Sequence, residues 1–464
     1  MLLQFIVKNF MCFAEETVFS MVASTEPEHN HHLIQLTPKI QLLRTSALYG
    51  ANAHGKTKLV EAIEFAKQLI VKGVQGNKLI PVEPFHLNKT LRTQPSHFEF
   101  IIFYQNIRYH YGFIINHQRV LEEWLFVTPK IKEVRYFERV TSETGKVTIE
   151  LGASLARKNS KQRQFLEFVA QGTRPNQLFL TEALERNVEK LKPLYQWFED
   201  ILQVIPATPH YLPLEIRANK EKPFIVFLSD FLKQADTGIQ GIKTVEEEFN
   251  YDKHFPGMPE QIRLEIENNI RSGGTFIMLS EGTSYTLCAN ESGQPILIRL
   301  ETQHHGQDGS VVGFDFAKES AGTQRLTHLL PILIDLLFSE KVYIIDELDR
   351  SLHALLPQLF LEAYLKGTGN QHRSQLIFTT HNTHLLDLKL LRKDEIWFLE
   401  KDEYGASHLY SLAQLKMNSN LNLQKGYLQG RFGGIPFLGD LEQLGWFTKE
   451  SDKDGFNTEK KTSN

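Results

Sequence analysis

The chain has 464 residues, of which 41% are hydrophobic and 23% charged, a composition typical of a soluble globular protein with two or three substructures. Lys and Arg total 51 against 55 Asp and Glu, which gives a net charge of -4. The net charge therefore cannot attract nucleic acid, and only a local basic patch could bind it. The two cysteines cannot form a disulfide framework, the N-terminus lacks a signal-peptide pattern, and the apolar run at 329–338 is too short to cross a bilayer. We therefore expect a cytoplasmic protein with no membrane partner.

The first predicted elements are strands. Residues 1–22 alternate apolar and polar side chains, and residues 97–149 repeat that alternation with breaks at Gln105 and at the SETGK segment. Alternation with short turns is typical of consecutive antiparallel strands. The two segments therefore predict an antiparallel β layer, in which the aromatic residues belong to the core; these are Phe98, Phe100, Tyr109, Tyr111 and Phe113.

The octapeptide GANAHGKT at 50–57 fits the phosphate-loop pattern G-x-x-x-x-G-K-[ST]. Gly50 and Gly55 would let successive backbone N–H groups face phosphate oxygens. Lys56 would reach the β and γ oxygens, and Thr57 would offer a hydroxyl to Mg²⁺. Because a strand-like run precedes the loop and an amphipathic helix follows it, the sequence predicts nucleotide binding here.

The later segments change in pattern. Helical spacing, interrupted by a Pro-rich stretch, predicts a mainly helical insertion at 156–272 that forms an arm or lid. Short strands and then alternating helices and strands follow, as in a parallel sheet. We therefore predict that residues 1–155 and 273–447 are the two parts of one head, with a disordered polar tail at 448–464.

A strand that would be buried on both faces ends in two carboxylates, in KVYIIDELDR at 341–350. Asp346 would hold Mg²⁺ through water, and Glu347 would face the attacking water as a base or orienter. The plainer interpretation is a core strand followed by a charged turn. The phosphate loop in the same chain favours the catalytic interpretation.

Two further motifs are weak singly. KESAGTQRL at 318–326 places Ser320 and Gly322 at a helix start that could hold an anion, although Ser320 could simply cap its own helix. QLIFTTHNTHLLD at 375–387 ends a strand at His381, which could contact a γ-phosphate or could be structural. Their order along the chain is more informative than either motif.

That order is the one found in ABC-type ATPases. Up to about residue 440, the chain resembles the bacterial RloA/AbiL-type stand-alone ABC ATPases, which are related to the overcoming-lysogenization-defect proteins. The motifs that carry the resemblance are GANAHGKT, ESAGTQRL, IIDELDRSLH, QLIFTTHNTHLLD, DEIWFLEKDEYGASHLYSL and YLQGRFGGIPFL. The resemblance implies an α/β fold, namely an ABC-type P-loop NTPase head with an antiparallel β layer, a parallel-sheet core and an inserted helical lobe.

The resemblance also implies ATP and Mg²⁺ as cofactors. It assigns nucleotide contacts to Gly50, Asn52, Gly55, Lys56, Thr57, Ser320, Gly322, Asp346, Asp349, Ser351 and His353. Thr57 and Asp346 would bind Mg²⁺, while Glu347 and His381 would be catalytic, with His381 as the switch histidine.

In this family the signature residues Ser320 and Gly322 would complete the site of a second subunit. The resemblance therefore implies a homodimer or a higher homo-oligomer formed through the nucleotide sites. Asp349, Ser351 and His353 would lie in the D-loop, which would couple the two sites.

Three positions depart from the family pattern. Met11 and Cys12 follow KNF, where the family has a basic residue, and Ala321 stands where Gly or Asp is usual. The segment PFHLN at 84–88 is the candidate for the Gln-bearing loop. We therefore expect slow hydrolysis, which would still suit a switch.

The resemblance implies a sensor or scaffold ATPase of an anti-phage, abortive-infection system. Because no acidic cluster of nuclease type follows His381, we expect the nuclease or other toxic effector to be a separate protein. The alternative is a DNA-binding repair or maintenance ATPase of the chromosome-maintenance type, for which the basic cluster LARKNSKQRQF at 155–165 is the candidate contact. That cluster could equally be a solvated helix start. A third possibility is a nucleotide-dependent scaffold without turnover.

Three histidines lie close together in EHNHHL at 28–33. With no carboxylate or cysteine at ligand spacing beside His29, His31 and His32, we interpret the segment as a polar loop. Cys12 and Cys288 are expected as small apolar residues of β layers.

Overall fold

The protein is described by a computed structural model over residues 1–207, 214–280, 283–290, 292–367, 372–416 and 422–435. The predicted tail at 448–464 lies outside the described residues. Across the described ranges, no helix combines the length and apolar character needed to cross a membrane.

The strands and helices are numbered along the chain. The strands are β1 Leu2–Lys8, β2 Thr17–Ser20, β3 Leu33–Thr37, β4 Ile40–Leu43, β5 Thr45–Tyr49, β6 Ser96–Tyr104, β7 Ile107–Ile115, β8 Val120–Thr128, β9 Val134–Thr141, β10 Val147–Leu151, β11 Leu202–Ile205, β12 Gly241–Glu248, β13 Phe276–Ser280, β14 Thr283–Ala289, β15 Pro295–His305, β16 Val311–Asp315, β17 Val342–Ile345, β18 Gln375–Thr379, β19 Ile396–Lys401 and β20 Ser407–Ser411. The α-helices are α1 Lys56–Lys72, α2 Lys161–Gly172, α3 Phe179–Glu185, α4 Lys192–Gln196, α5 Leu214–Lys220, α6 Lys222–Gln234, α7 Tyr251–His254, α8 Glu260–Arg271, α9 Ala321–Phe338, α10 Leu355–Lys366 and α11 Leu423–Leu428.

One antiparallel sheet contains the first strands and the meander that the sequence predicts. Its order is β10-β9-β8-β7-β6-β1-β2, so neighbours in the sheet are mostly neighbours in the chain. The alternating aromatic residues of β6 and β7 face inward and are buried, as predicted; they are Phe98, Phe100, Tyr109, Tyr111 and Phe113. The antiparallel β layer is therefore confirmed.

The core sheet combines strands from both ends of the chain, in the order β11-β17-β18-β5-β19-β20. The strands from β11 to β19 run parallel to one another, and β20 runs antiparallel at the edge. Every residue of β5 and β18 is buried, which is typical of parallel strands covered on both faces. Because β5 lies between β18 and β19, the segments that follow these strands meet at one edge of the sheet.

Residues 156–272 include α2 to α8, as the helical spacing predicts, and also two strands. The short β11 extends the core sheet beside β17, while β12 pairs with β15 in a sheet of order β12-β15-β14-β13, with β16 also on β15. β12 ends in consecutive glutamates, and β11 has only four residues, so neither shows a clear strand pattern. The division of the chain into domains stays a prediction.

Two buried polar side chains connect the layers. Gln375 of β18 accepts the N–H of Leu2 at 2.7 Å and donates to the carbonyl oxygens of Leu2 and Leu43 at 3.0 and 3.1 Å, which joins the two sheets.

Glu123 of β8 forms the second connection. It accepts the N–H groups of Phe179 and Leu180 at 2.6 and 3.0 Å, at the start of α3, and it pairs with the buried Arg139 at 3.3 Å. Glu123 therefore fixes α3 on the β layer.

We expect Glu123→Ala to lower the free energy of unfolding by roughly 3–5 kcal/mol, because Arg139 would remain buried without its carboxylate. Urea denaturation followed by tryptophan fluorescence measures the change. The matched control is Glu122→Ala at the less buried neighbouring position, for which we expect a change within about 0.5 kcal/mol. Equal effects of the two substitutions would contradict the assigned role of Glu123.

Candidate functional site

The phosphate loop connects β5 to α1, and packing restricts both of its outer positions to glycine. Gly55 has a φ of 104°, and a Cβ there would lie 2.7 Å from Ser407 Oγ and 2.9 Å from Cys12 Sγ. A Cβ on Gly50 would lie 2.6 Å from the carbonyl oxygen of Leu399. Neighbouring strands thus hold the loop in the shape that exposes its N–H groups.

Lys56 is 6% exposed, and its Nζ donates to the carbonyl oxygens of Gly50 and Ala51 at 2.7 and 3.1 Å. Burial lowers the pKa of the Lys56 ammonium to about 8, while the negative charges of Asp346 and Glu347 act in the opposite direction. The loop therefore holds a partly desolvated cation, which is the group that a polyphosphate would attract.

The two predicted carboxylates follow β17, and Thr379 at the end of β18 contacts both residues. The Thr379 hydroxyl donates to Asp346 Oδ1 at 2.6 Å and accepts the N–H of Glu347 at 2.7 Å. Asp346 is 3% exposed, whereas Glu347 has a φ of 49° and its side chain lines the cavity beside the phosphate loop. Left-handed backbone at a residue that is not glycine is a form of strain often found at functional sites.

His381 and Asp349 are joined directly. The N–H of His381 donates to Asp349 Oδ2 at 3.2 Å, and Asp349 Oδ1 is buried with no hydrogen-bond partner in the described part of the chain. Burial and then the charge of Lys56 lower the pKa of His381 from its usual 6.5, so its imidazole is neutral at neutral pH. A neutral imidazole in the cavity wall can donate a hydrogen bond to a phosphate oxygen.

The predicted signature residues lie elsewhere. Ser320 is the N-cap of α9, and its Oγ accepts the N–H of Thr323 at 3.1 Å. A Cβ on Gly322 would lie 2.7 Å from the carbonyl oxygen of Ser351, so glycine permits close contact with the predicted D-loop. Ser320, Ser351 and His353 are exposed, and within the described ranges neither they nor Gly322 line the cavity.

The cavity beside the phosphate loop has a volume of about 650 Å³, within the usual range for a small-molecule site. The predicted residues in its wall are Asn52, Gly55, Lys56, Thr57, Glu347 and His381. Phe85, His86 and Leu87 also contribute, from the segment proposed as the Gln-bearing loop. Thr57 lies at the start of α1 and, with Asp346, could hold a hydrated Mg²⁺ ion.

Sequence patterns missed several lining residues, of which three are informative. Met11 and Cys12 occupy the position where the family has a basic residue, so we expected a nucleotide contact to be missing there. Lys401 belongs to no motif that pointed to the site. Cys12 is not in a β layer as expected, because it lies in the turn after β1, where Phe10 and Phe13 pair across it. Burial raises the pKa of the Cys12 thiol, so it acts as a small apolar wall residue.

Arg325 of α9 is a further residue that sequence patterns did not identify. It is buried, and its Nη2 lies 3.3 Å from the carbonyl oxygen of Glu347 and 3.5 Å from that of Asp346. Burial lowers the pKa of Arg325 to about 10. Arg325 therefore links the helix that begins at the signature to the turn that carries the carboxylates.

Known proteins resemble the chain in sequence and in fold. A family model described as "AAA domain, putative AbiEii toxin, Type IV TA system" matches residues 46–387, well over half of the chain. That range includes the phosphate loop, both carboxylates and His381. The chain matches no curated protein.

Solved structures with a related fold include the SMC head domain from Thermotoga maritima. That head is 11% identical with a TM-score of 0.34, and the match covers 90% of this chain and 99% of the other. A second match, the SmcHead bound to the C-winged helix domain of ScpA, is 13% identical with a TM-score of 0.37 and covers 88% and 97%. Likeness at this level carries no information about substrates or partners.

We expect the affinity for ATP to fall as the pH is raised from 7.5 through about 8 and above, where free Lys56 loses its proton. Bound phosphates favour the ammonium, so binding takes up a proton in this range, and affinity should fall by up to about tenfold per pH unit. Isothermal titration at constant Mg²⁺ measures the effect. Adenosine, which lacks phosphate, is the control and should bind equally at each pH; a pH-independent ATP affinity would contradict the role of Lys56.

We expect Arg325→Leu to slow ATP hydrolysis by about 10- to 100-fold, with ATP affinity within about threefold of the wild type, because Arg325 positions the carboxylate turn without lining the cavity. Phosphate-release kinetics and nucleotide titration measure the two quantities separately. Arg271→Leu, at an exposed end of α8, is the control. Equal losses of affinity and hydrolysis would show a general structural effect instead.

Proposed function

We infer that this chain, which belongs to the AAA domain family whose model it matches and is a P-loop domain of the AAA/ABC ATPase type, works as an ATP-driven switch. In the proposed cycle, two copies associate across their nucleotide sites when ATP and Mg²⁺ are bound, and they separate after hydrolysis. The oligomer would be a homodimer or a multiple of one.

One observation carries this proposal: three of the residues expected around a γ-phosphate line one cavity, and the signature serine lies outside it. Lys56, Glu347 and His381 converge on one cavity, although the chain separates Lys56 from the other two by hundreds of residues. Ser320 instead occupies an exposed helix N-terminus outside that cavity. A helix N-terminus with free N–H groups attracts anions, so a second copy would be needed to supply it to the γ-phosphate.

Each of the cavity residues of one subunit would have a separate role. ATP with Mg²⁺ supplies the γ-phosphate and the bond to be hydrolysed. Lys56 would give up its hydrogen bonds to the carbonyl oxygens of Gly50 and Ala51 and donate to phosphate oxygens instead. Because both carbonyls belong to the phosphate loop, the ammonium already lies at the loop that would hold the phosphates. Glu347 would orient water, and His381 would donate a hydrogen bond to a phosphate oxygen.

Contacts between the signature and the D-loop would transmit the nucleotide state. Gly322 contacts the carbonyl of Ser351, while Asp349, two residues earlier, accepts the N–H of His381. Movement of His381 toward a phosphate would therefore shift the turn against which the signature helix packs. This path joins the cavity of one subunit to the surface that would meet the other.

For the biological role, we propose a sensor or scaffold in a bacterial anti-phage system of the RloA/AbiL type, acting on a separate toxic effector. The sequence resemblance supports this role, and so does the name of the matched family, which refers to a toxin of a type IV toxin–antitoxin system. The effector would bind a surface that depends on ATP-driven association.

The DNA-binding alternative has less support from the basic cluster at 155–165. Ser160 caps α2 by accepting the N–H of Arg163. The Arg163 side chain donates to the carbonyl of Leu151 at 3.1 Å and to Glu167 at 3.0 Å. Ser160 and Arg163 thus have a structural role at the helix start, whereas Arg157, Lys158 and Lys161 are exposed.

The ATP-dependent dimer can be tested with two substitutions that both preserve the helix cap. Asp and Asn cap helices about as well as Ser, so Ser320→Asp and Ser320→Asn should leave α9 stable. Only Asp adds negative charge facing the γ-phosphate of a second subunit. In a Glu347→Gln background with ATP and Mg²⁺, light scattering should show a dimer for the parent protein and for the Ser320→Asn variant, but a monomer for the Ser320→Asp variant.

Two results would contradict ATP-driven association across the nucleotide sites. If Ser320→Asp and Ser320→Asn associate equally, Ser320 is only a helix cap. If the Glu347→Gln variant binds ATP, as measured by titration, and its mass does not change, then the nucleotide does not drive association.

The biological proposal predicts that cells carrying the gene with its neighbouring genes survive phage challenge, and that Lys56→Ala abolishes protection. Plating efficiency of a phage panel measures protection, and Lys72→Ala, at an exposed lysine at the far end of α1, is the control. If the wild type and Lys56→Ala protect cells equally, protection does not depend on nucleotide binding and the proposal is contradicted.

A further inference from the structure

The segment that the sequence indicated to be a polar loop folds into a compact group of three histidines. His31 and His32 lie in a short 3-10 turn, and His29 precedes it with φ 54° and ψ 49°. One ring nitrogen from each histidine lies within 4.8 Å of the other two. His32 is buried at 2% exposure, while His31 is exposed, so the group extends from the interior to the surface.

Two of the rings are oriented by partners outside the group, each of which contacts only one of the two ring nitrogens. His29 Nε2 lies 2.7 Å from the carbonyl oxygen of Leu388, which can only accept, so Nε2 carries the proton and Nδ1 keeps its lone pair. His32 Nδ1 lies 2.9 and 3.0 Å from the two carboxylate oxygens of the buried Glu395. Hydrogen bonds of this kind, from a ligand histidine to a carbonyl or carboxylate, are the usual outer contacts of metal sites.

Glu395 is the carboxylate that the local sequence lacked, and it is 363 residues from His32 along the chain. With a metal ion on Nε2, His32 Nδ1 would carry the ring proton and donate a hydrogen bond to a carboxylate oxygen of Glu395.

We propose that His29, His31 and His32 bind one divalent transition-metal ion, with Zn²⁺ as the best match, through His29 Nδ1, His32 Nε2 and one nitrogen of His31. Three imidazoles suit Zn²⁺ and also Co²⁺, Ni²⁺ or Cu²⁺. With metal–nitrogen distances of about 2.0–2.1 Å, the three nitrogens would be roughly 3.3 Å apart, closer than they are now. The exposed His31 ring can rotate toward the other two, which would need a small shift of their own, and the fourth position would face solvent.

The metal would bind one of two segments that polar contacts already hold together, and the His32–Glu395 hydrogen bond would connect it to the other. Asp394 accepts the N–H and the hydroxyl of Ser24, both at 2.8 Å, and buried Arg392 donates to the backbone carbonyls of Glu26 and Glu28. Glu395 immediately precedes β19, which pairs with the strand that leads into the phosphate loop. The site would therefore stabilise the connection between the His29–His32 turn and the core sheet, independently of the proposed switch.

Co²⁺ titration of the full chain, purified without a polyhistidine tag and treated with chelator, tests the site. We expect visible d–d absorption that saturates at one ion per chain and disappears on addition of Zn²⁺. His31→Ala should weaken Co²⁺ binding at least about tenfold, because one of three ligands is lost, without changing the melting temperature of the metal-free protein. His408→Ala, at an exposed histidine paired with Asp402, is the matched control.

Glu395→Gln provides a second variant that leaves all three imidazoles in place. It should weaken Co²⁺ binding by about 10- to 100-fold, the usual cost of losing an outer carboxylate. The proposal is overturned if the wild type binds no Co²⁺ at micromolar concentration, or if His31→Ala binds it as tightly as the wild type. Because the readout is metal stoichiometry, failure of ATP binding or dimerisation would not affect the result.

Discussion

The pairing of β5 between β18 and β19 is the constraint on which the candidate site depends. Phe378 of β18 and Ile396 of β19 both pair with Ala47, and all three strands run in the same direction. Carboxyl ends of parallel strands meet at one edge of a sheet, which is where ligands bind in open α/β folds. One strand near the N-terminus therefore places residue 56 beside residues 346 and 381, although the chain separates them widely.

The electrostatics of the site follow from this placement. A buried lysine, two carboxylates and an aspartate that accepts the backbone N–H of His381 are gathered in a small volume, and each charge influences the pKa of Lys56. Without a ligand, Lys56 donates to the carbonyls of its own loop. Thr379 supports the arrangement because one hydroxyl orients both residues of the carboxylate pair. Such a site is organised to receive a polyphosphate before one binds.

Local patterns predicted much of this arrangement. The antiparallel layer and the parallel core follow from the periods of apolar residues, and GANAHGKT carries its own strand and helix context. The missed features depend on contacts distant in sequence. Cys12 lines the cavity because it packs against Gly55, and β12 is a strand because β15 is available to pair with it, although its glutamates oppose that assignment.

The histidine group is the clearest case of a feature that depends on a contact distant in sequence. Its spacing was visible in the sequence, but the carboxylate that orients His32 is supplied by Glu395, from the other end of the chain. Likewise, Arg325 contributes to the site only because α9 packs against the turn after β17. Local sequence thus predicted the groups that would contact a nucleotide better than the groups that position them.

The most direct test of the central claim is a structure of the Glu347→Gln variant with ATP and Mg²⁺. The account predicts ATP in the cavity, with Lys56 and Thr57 of one subunit and Ser320 of the partner subunit around the same γ-phosphate. A single subunit with ATP fully enclosed by its own residues, or ATP bound away from Lys56, would contradict it.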